Sequence, residues 1–292
     1  MHAGAPVSGL RAYAELTKPG ITLFIGVSAA AGFVAAMEGP GEPVRLAVAL
    51  LATMTMSAGA AALNHVAERE SDARMRRTAS RPLPSGTLSP LRAAAFGWGL
   101  SLLGLVLALV LLPPAATLFL VLSHASYIYL YTPLKRRTPF CTLAGALPGA
   151  LPVLAGWAAA GRPLTPAAIA LASVLFMWQI PHFLAIGWLA REDYGRAGCP
   201  MLGVVDPSGR SSAHVAFGYA LVMLVAAGLV AVTTPTGWLY GLLALLTCGA
   251  YMAAAWRWVR RPDRIAARHL FLSSLLVLPV LLGALIADLL IA

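Results

Sequence analysis

The chain has 292 residues, 59% hydrophobic and only 11% charged, with 21 Lys and Arg against 11 Asp and Glu. A soluble domain carries about 25% charged residues, so this composition argues against a water-soluble globule and places the chain in a bilayer. Three scattered cysteines (Cys141, Cys199, Cys248) with no CxxC pair argue against a disulfide framework or a zinc site.

The first residues, MHAGAPVSGLRAYAELTKPG, lack the basic, apolar and cleavage-site succession of a secretory signal. They read as a tail over residues 1–19, followed by one membrane domain over 20–292. A helix that crosses the hydrocarbon core needs about 20 residues. Nine stretches qualify: 20–37, 46–66, 93–112, 115–133, 140–160, 166–189, 213–233, 236–256 and 270–291. The expected fold is therefore an all-α integral membrane protein, a bundle of nine transmembrane helices. Prolines 113, 114, 163, 166 and 235 fall in the short connections, where helices break. Glycines inside the spans permit close helix packing.

The connections alternate in charge. The N-terminal tail, 67–92, 134–139, 190–212 and 257–269 hold every Lys and Arg except Arg45 and Arg162. The positive-inside rule makes that face cytoplasmic, the N-terminus with it, in a multi-pass protein of the cytoplasmic (inner) membrane. This asymmetry accounts for the net charge of +10 with no nucleic acid as partner. The arginine run at 257, 260, 261, 264 and 268 fits the same rule, with anionic membrane lipids in contact. Asp288, near the end of the last span, is placed on the opposite face and given no chemistry.

Residues 64–86 (NHVAERESDARMRRTASRPLPSG) directly follow an apolar run and form the most charged stretch of the chain. Asn64, Glu68 and Asp72 are spaced i, i+4, i+8, with no Gly or Pro between Leu63 and Arg81. The second helix can therefore continue and carry all three on one face. Carboxylates four apart repel each other, so a cation should sit between them. Mg²⁺ would serve, since it takes one or two carboxylates plus substrate phosphates; so would ordinary pairs such as Asp72 with Arg76. Spacing alone leaves both readings open. Lys135, Arg136 and Arg137 end the fourth span as an anchor or as a clamp on leaving charge. Trp178, Gln179 and His182 lie within the sixth span, beside a kinking Pro181. An ionisable group at that depth is a functional candidate, with His65 as a competitor.

Asn64-x3-Glu68-x3-Asp72 resembles the acidic motif of the UbiA superfamily of intramembrane prenyltransferases. The longer string 64–69 with Asp72, Met75, Arg77, Thr78, Arg81, Pro82 and Leu83 is similar to its protohaem IX farnesyltransferase branch. Further strings agree in order: Thr17, Lys18, Pro19; Tyr131, Thr132, Leu134, Lys135, Arg136, Thr138; Gly156, Trp157; Trp178, Gln179, Pro181, His182, Phe183; and Asp193, Tyr194, Ala197, Gly198, Pro200, Met201, Leu202. The departures are Glu68 where many relatives have Asp, together with Glu70, Ser71, Gly20 and Cys141.

The resemblance implies a UbiA-type bundle around a central cavity open towards the cytoplasmic face. It implies farnesyl diphosphate and haem B as substrates and Mg²⁺ as cofactor. The product is haem O, upstream of haem A and the oxidase, with no protein partner named. Asn64, Glu68, Asp72 and Asp193, the last on a second acidic element across the cavity, would hold the metal. Arg69, Arg77, Lys135 and Arg136 would bind the diphosphate, and His182, Trp178 and Gln179 the haem. The competing readings are a UbiA-type enzyme acting on a quinone precursor and, more remotely, a transporter. Transporters place their polar groups near the midplane, whereas these carboxylates gather at one face.

Overall fold

The computed structural model describes residues 9–37 and 42–291, and its regular elements are all helical. A short α1 (Gly9–Leu16) precedes α2 (Pro19–Ala36), α3 (Pro43–Ala73) and α4 (Pro90–Leu111). Next comes α5 (Pro114–Ala125), which runs through a π-helix (Ser126–Tyr131) into the single turn α6 (Thr132–Leu134). Then follow α7 (Cys141–Ala159), α8 (Pro166–Leu189), α9 (Arg191–Arg196), α10 (Leu202–Val205), α11 (Arg210–Thr233), α12 (Trp238–Arg260) and α13 (Arg264–Ile291). Nine helical stretches among the described residues are long and apolar enough to cross a membrane, with Pro114–Leu134 counting as one. They coincide with the nine expected spans, but most run further into the connections. The longest, α3, has 31 residues and carries Asn64, Glu68 and Asp72 on a buried face.

Of the expected N-terminal tail, residues 1–8 lie outside the described region and 9–16 form α1. Its Ala12 and Leu16 are buried against Ala62, Leu83, Leu88 and Ala93, and Tyr13 meets Phe96 edge-on at 4.9 Å. Eight residues with a single apolar face are too short to register as a span.

Small residues set the helix spacing, as expected where lipid offers no hydrophobic drive for association. A Cβ on Gly32 would lie 1.9 Å from the Val153 carbonyl oxygen, and one on Gly156 would lie 1.9 Å from that of Ala29. Along this seam α2 and α7 touch backbone to backbone. One of the two prolines inside α7 is compensated by a neighbouring helix. Pro152 has no N–H for the carbonyl of Pro148, and Ser123 Oγ on α5 donates to that oxygen instead, at 2.8 Å.

At the far end from the arginines, Asp288 of α13 is buried and accepts the Tyr240 backbone N–H at 2.7 Å. Tyr240 is the third residue of α12. The carboxylate thus caps a neighbouring helix's exposed amides, where negative charge is favoured.

Candidate active site

A cavity of about 510 Å³ lies between α2, α3, α5, α7, α8 and α13. Its apolar wall includes Phe24, Ile25, Met56, Leu120, Leu175 and Leu278. Its polar end is formed by Lys18, Asn64, Glu68, Asp72, Arg77, Arg81 and Lys135. This combination suits a ligand with a greasy body and an anionic head.

At that end every acidic residue faces a cation. Glu68 Oε2 accepts from Lys135 Nζ at 2.7 Å and Asp72 Oδ2 from Arg81 Nη1 at 2.8 Å. Glu68 Oε1 is buried and has no partner. Both polar atoms of the Asn64 carboxamide are engaged. Its Oδ1 accepts from Lys18 Nζ at 2.9 Å and from the Tyr127 hydroxyl at 3.3 Å, and its Nδ2 donates to Thr132 Oγ1 at 3.1 Å. Burial of the Lys135 ammonium would lower its pKa, but Glu68 more than offsets this and holds it above the usual lysine range. For Lys18, burial dominates and pushes the pKa down to about 8. Glu68 opposes the fall, and Arg81 and Lys135 add to it.

Local backbone features aim these groups. Lys18 adopts a left-handed φ of 46° just before Pro19. Such a conformation costs about 1–3 kcal/mol for a non-glycine residue and persists only where its surroundings enforce it. The π-helix widens one turn of the fourth span, as such bulges do at functional sites. Thr132 Oγ1, just past its end, donates to the Tyr127 carbonyl at 2.8 Å, and the rings of Tyr127 and Tyr131 stack at 5.5 Å. Both tyrosines line the cavity, with Gly145 opposite Tyr131.

The sixth-span residues also line the cavity. Trp178 Nε1 donates to the Ser274 carbonyl at 2.8 Å, and its ring stacks on His182 at 5.1 Å. Gln179 Nε2 donates to the carbonyls of Ala146 (3.2 Å) and Leu175 (2.9 Å), and its Oε1 lies against Gly149. His182 Nδ1 is 2.7 Å from Ser274 Oγ, whose own proton goes to the Phe271 carbonyl. With the Ser274 proton on that carbonyl, Nδ1–H donates to Ser274 Oγ and Nε2 carries the lone pair; the opposite tautomer pairs Ser274 O–H with Nδ1.

Some expected residues are elsewhere. Asp193 is not among the cavity-lining residues: it accepts from the Arg76 backbone N–H at 3.1 Å and from Arg196. Its neighbour Tyr194 lines the cavity instead, with Lys135 Nζ and the Arg77 guanidinium 5.7 and 5.9 Å from its ring centre. Arg69 pairs with Glu70 at 3.1 Å on the outer surface, and Arg136 donates to the Ala67 carbonyl at 3.1 Å on the outside of α3. Five contributors carried no assigned role in the sequence: Lys18, Arg81, Tyr127, Tyr131 and Tyr194. A lysine before a membrane helix reads as an anchor; only the folded chain brings it to Asn64.

The pattern of the UbiA prenyltransferase family matches residues 25–278. The chain is 39% identical over 291 residues to the protoheme IX farnesyltransferase of Solibacter usitatus, covering 96% of this chain and 99% of that one. It is 38% identical over 277 residues to that of Opitutus terrae, covering 94% of each. Among solved structures, a digeranylgeranylglyceryl phosphate synthase superposes with a TM-score of 0.81 at 18% identity, over 97% of this chain and 99% of that one. A UbiA homologue from Archaeoglobus fulgidus, bound to DMAPP and Mg²⁺, superposes with a TM-score of 0.69 at 15% identity, over 94% and 99%. With its nine apolar helices and a cavity polar at one end, the chain is a multi-pass integral membrane protein that belongs to the UbiA prenyltransferase family.

Proposed function

We propose that this prenyltransferase moves the farnesyl group of farnesyl diphosphate to a vinyl group of haem B, with addition of water, to give haem O and diphosphate. The observation that carries the reading is the cation–carboxylate cluster at one end of an apolar cavity, in a chain 39% identical to a protoheme IX farnesyltransferase along nearly its whole length.

Lys18, Arg77, Arg81 and Lys135 bind the diphosphate. The donor set fits Mg²⁺: hard carboxylate oxygens from Glu68 and Asp72, and an unpartnered Glu68 Oε1. Glu68 and Asp72 would hold the ion together with oxygens of the substrate diphosphate. Bound there, Mg²⁺ supplies neutralisation of the charge that develops on the leaving diphosphate. Asn64 positions Lys18 and Tyr127. Asp193 fixes the loop after α3, and Arg69 and Arg136 anchor that loop's surroundings.

The farnesyl C–O bond breaks with its electron pair leaving on the diphosphate. The vinyl group then attacks the allylic cation, and water captures the new cation and releases a proton. The stacked faces of Tyr127 and Tyr131 stabilise the first cation, and the apolar wall keeps bulk water from it. Trp178 and Gln179 shape the acceptor side, where His182 Nε2 offers its lone pair to the haem iron. The basic face is cytoplasmic by the positive-inside rule.

Mass spectrometry of haem after incubation with farnesyl diphosphate and Mg²⁺ tests this. A hydroxyethylfarnesyl haem is expected. Prenylation of 4-hydroxybenzoate with none of haem would sink the proposal.

A further inference from the structure

A second cleft opens beside the polar end of the cavity, between α1 and α3. It is lined by Arg11, Glu15, Lys18, Gly20, His65 and Arg81, and shares Lys18, Gly20 and Arg81 with the central cavity. His65 is only 2% exposed, and neither ring nitrogen has a hydrogen-bond partner. A buried imidazole without a partner is costly, and such a group calls for an explanation. Arg11 makes no ion pair or hydrogen bond with the described residues. Arg81 commits one nitrogen to Asp72. Lys18 Nζ is held by Asn64 Oδ1 at 2.9 Å and the Tyr127 hydroxyl at 3.2 Å. Three cations and an imidazole thus line the cleft with one carboxylate, Glu15. A Cβ at Gly20 would meet nothing within 4 Å.

We propose that this cleft is a second oxyanion site, adjoining the diphosphate end of the cavity. It takes a carboxylate or phosphate group through Arg11 and the donor nitrogen of His65, with Lys18 and Arg81 shared between the two sites. Charge-assisted donors on a rigid wall suit either group. Two sources are within reach: a carboxylate of the acceptor, whose tetrapyrrole carries two propionates, or the diphosphate released beside Lys18. The identity of the anion rests on the function proposed above; the existence of the site does not.

The test uses the full chain in zwitterionic nanodiscs, with Arg11→Gln and His65→Gln variants checked for unchanged melting. Arg11 is exposed, so its variant keeps the test usable if His65→Gln fails to fold. The first arm measures binding of haem B against its dimethyl ester by tryptophan quenching. If the site holds acceptor carboxylates, the wild type prefers the diacid by about tenfold or more, as one charged hydrogen bond implies. The variants then lose that preference. The second arm measures inorganic diphosphate binding by calorimetry. If the site holds phosphate, the variants weaken it by a similar factor and leave the ester ratio alone. Folded variants that change neither ratio overturn the proposal. Because neither arm needs turnover, a failure of farnesyl transfer to haem is recognised separately.

Discussion

Glu68 has two oxygens in different situations: one is tied to Lys135 at 2.7 Å, the other is buried with no partner. Glu68→Gln should therefore do two things. It removes charge from the reacting end, with a rate loss of about 10²–10³-fold. It also strands a buried ammonium, destabilising the fold by about 3–5 kcal/mol. Turnover in membranes and melting in detergent should both fall, and activity within a few-fold of wild type would remove Glu68 from the mechanism. Lys18 gives a pH signature. Its folded pKa, about 8, lies below the ordinary lysine value of 10.5. Between these values the unfolded chain holds more protons, so this group's contribution to stability rises with pH across that window. Affinity has the opposite sign, because the cation is lost above about pH 8. The kcat/KM for prenyl diphosphate should decline on that alkaline side, and Lys18→Met should lower the plateau and flatten the limb. The spacing of Asn64, Glu68 and Asp72 made one wall of the site legible in sequence. The opposing cations were not, because Lys18 reaches Asn64 across 46 positions. Nor can sequence say which of two adjacent residues on a six-residue helix faces inward; Tyr194 does and Asp193 does not.

Elements carry information that hydropathy does not. The π-helix at Ser126–Tyr131 leaves no mark on composition, yet Tyr127 and Tyr131 stack within it. Asp288 looked inert at the end of an apolar run because its partner, the first turn of α12, is a tertiary neighbour 48 positions away. Asp288→Ala should lower stability by about 1 kcal/mol, the usual cost of a lost cap. The activity of the molecules that remain folded should not change, since the cap sits away from the cavity. A melting curve unchanged by the substitution would show that water replaces the carboxylate. The α2–α7 seam should be less forgiving. Gly156→Ala places a methyl against the Ala29 carbonyl, and overpacking of this kind costs about 1–3 kcal/mol. Gly99, whose added Cβ meets nothing within 4 Å, provides the control, and Gly99→Ala should melt as wild type does.

At the scale of the whole molecule, the nine spans were readable because length and apolarity decide them almost alone. The asymmetry of basic residues gave their orientation a testable form. Alkaline phosphatase fused after Arg162 should be active on the far side of the membrane, and one fused after Arg137 should be inactive; the reverse pattern would invert the topology. The cavity was not readable, since it exists only where six helices meet. One consequence follows from the backbone contact between α2 and α7. That seam acts as a keel: Gly32 and Gly156 leave no slack, so the two helices move together or not at all. Breathing is then expected on the flanks away from the keel, the side on which lateral entry of an acceptor from the acyl chains would disturb the packing least. An enzyme entered in that way would sample its substrates as solutes of the bilayer. Its saturation should follow their mole fraction in lipid, and diluting the protein into more membrane should slow it even when the amounts in the tube are fixed.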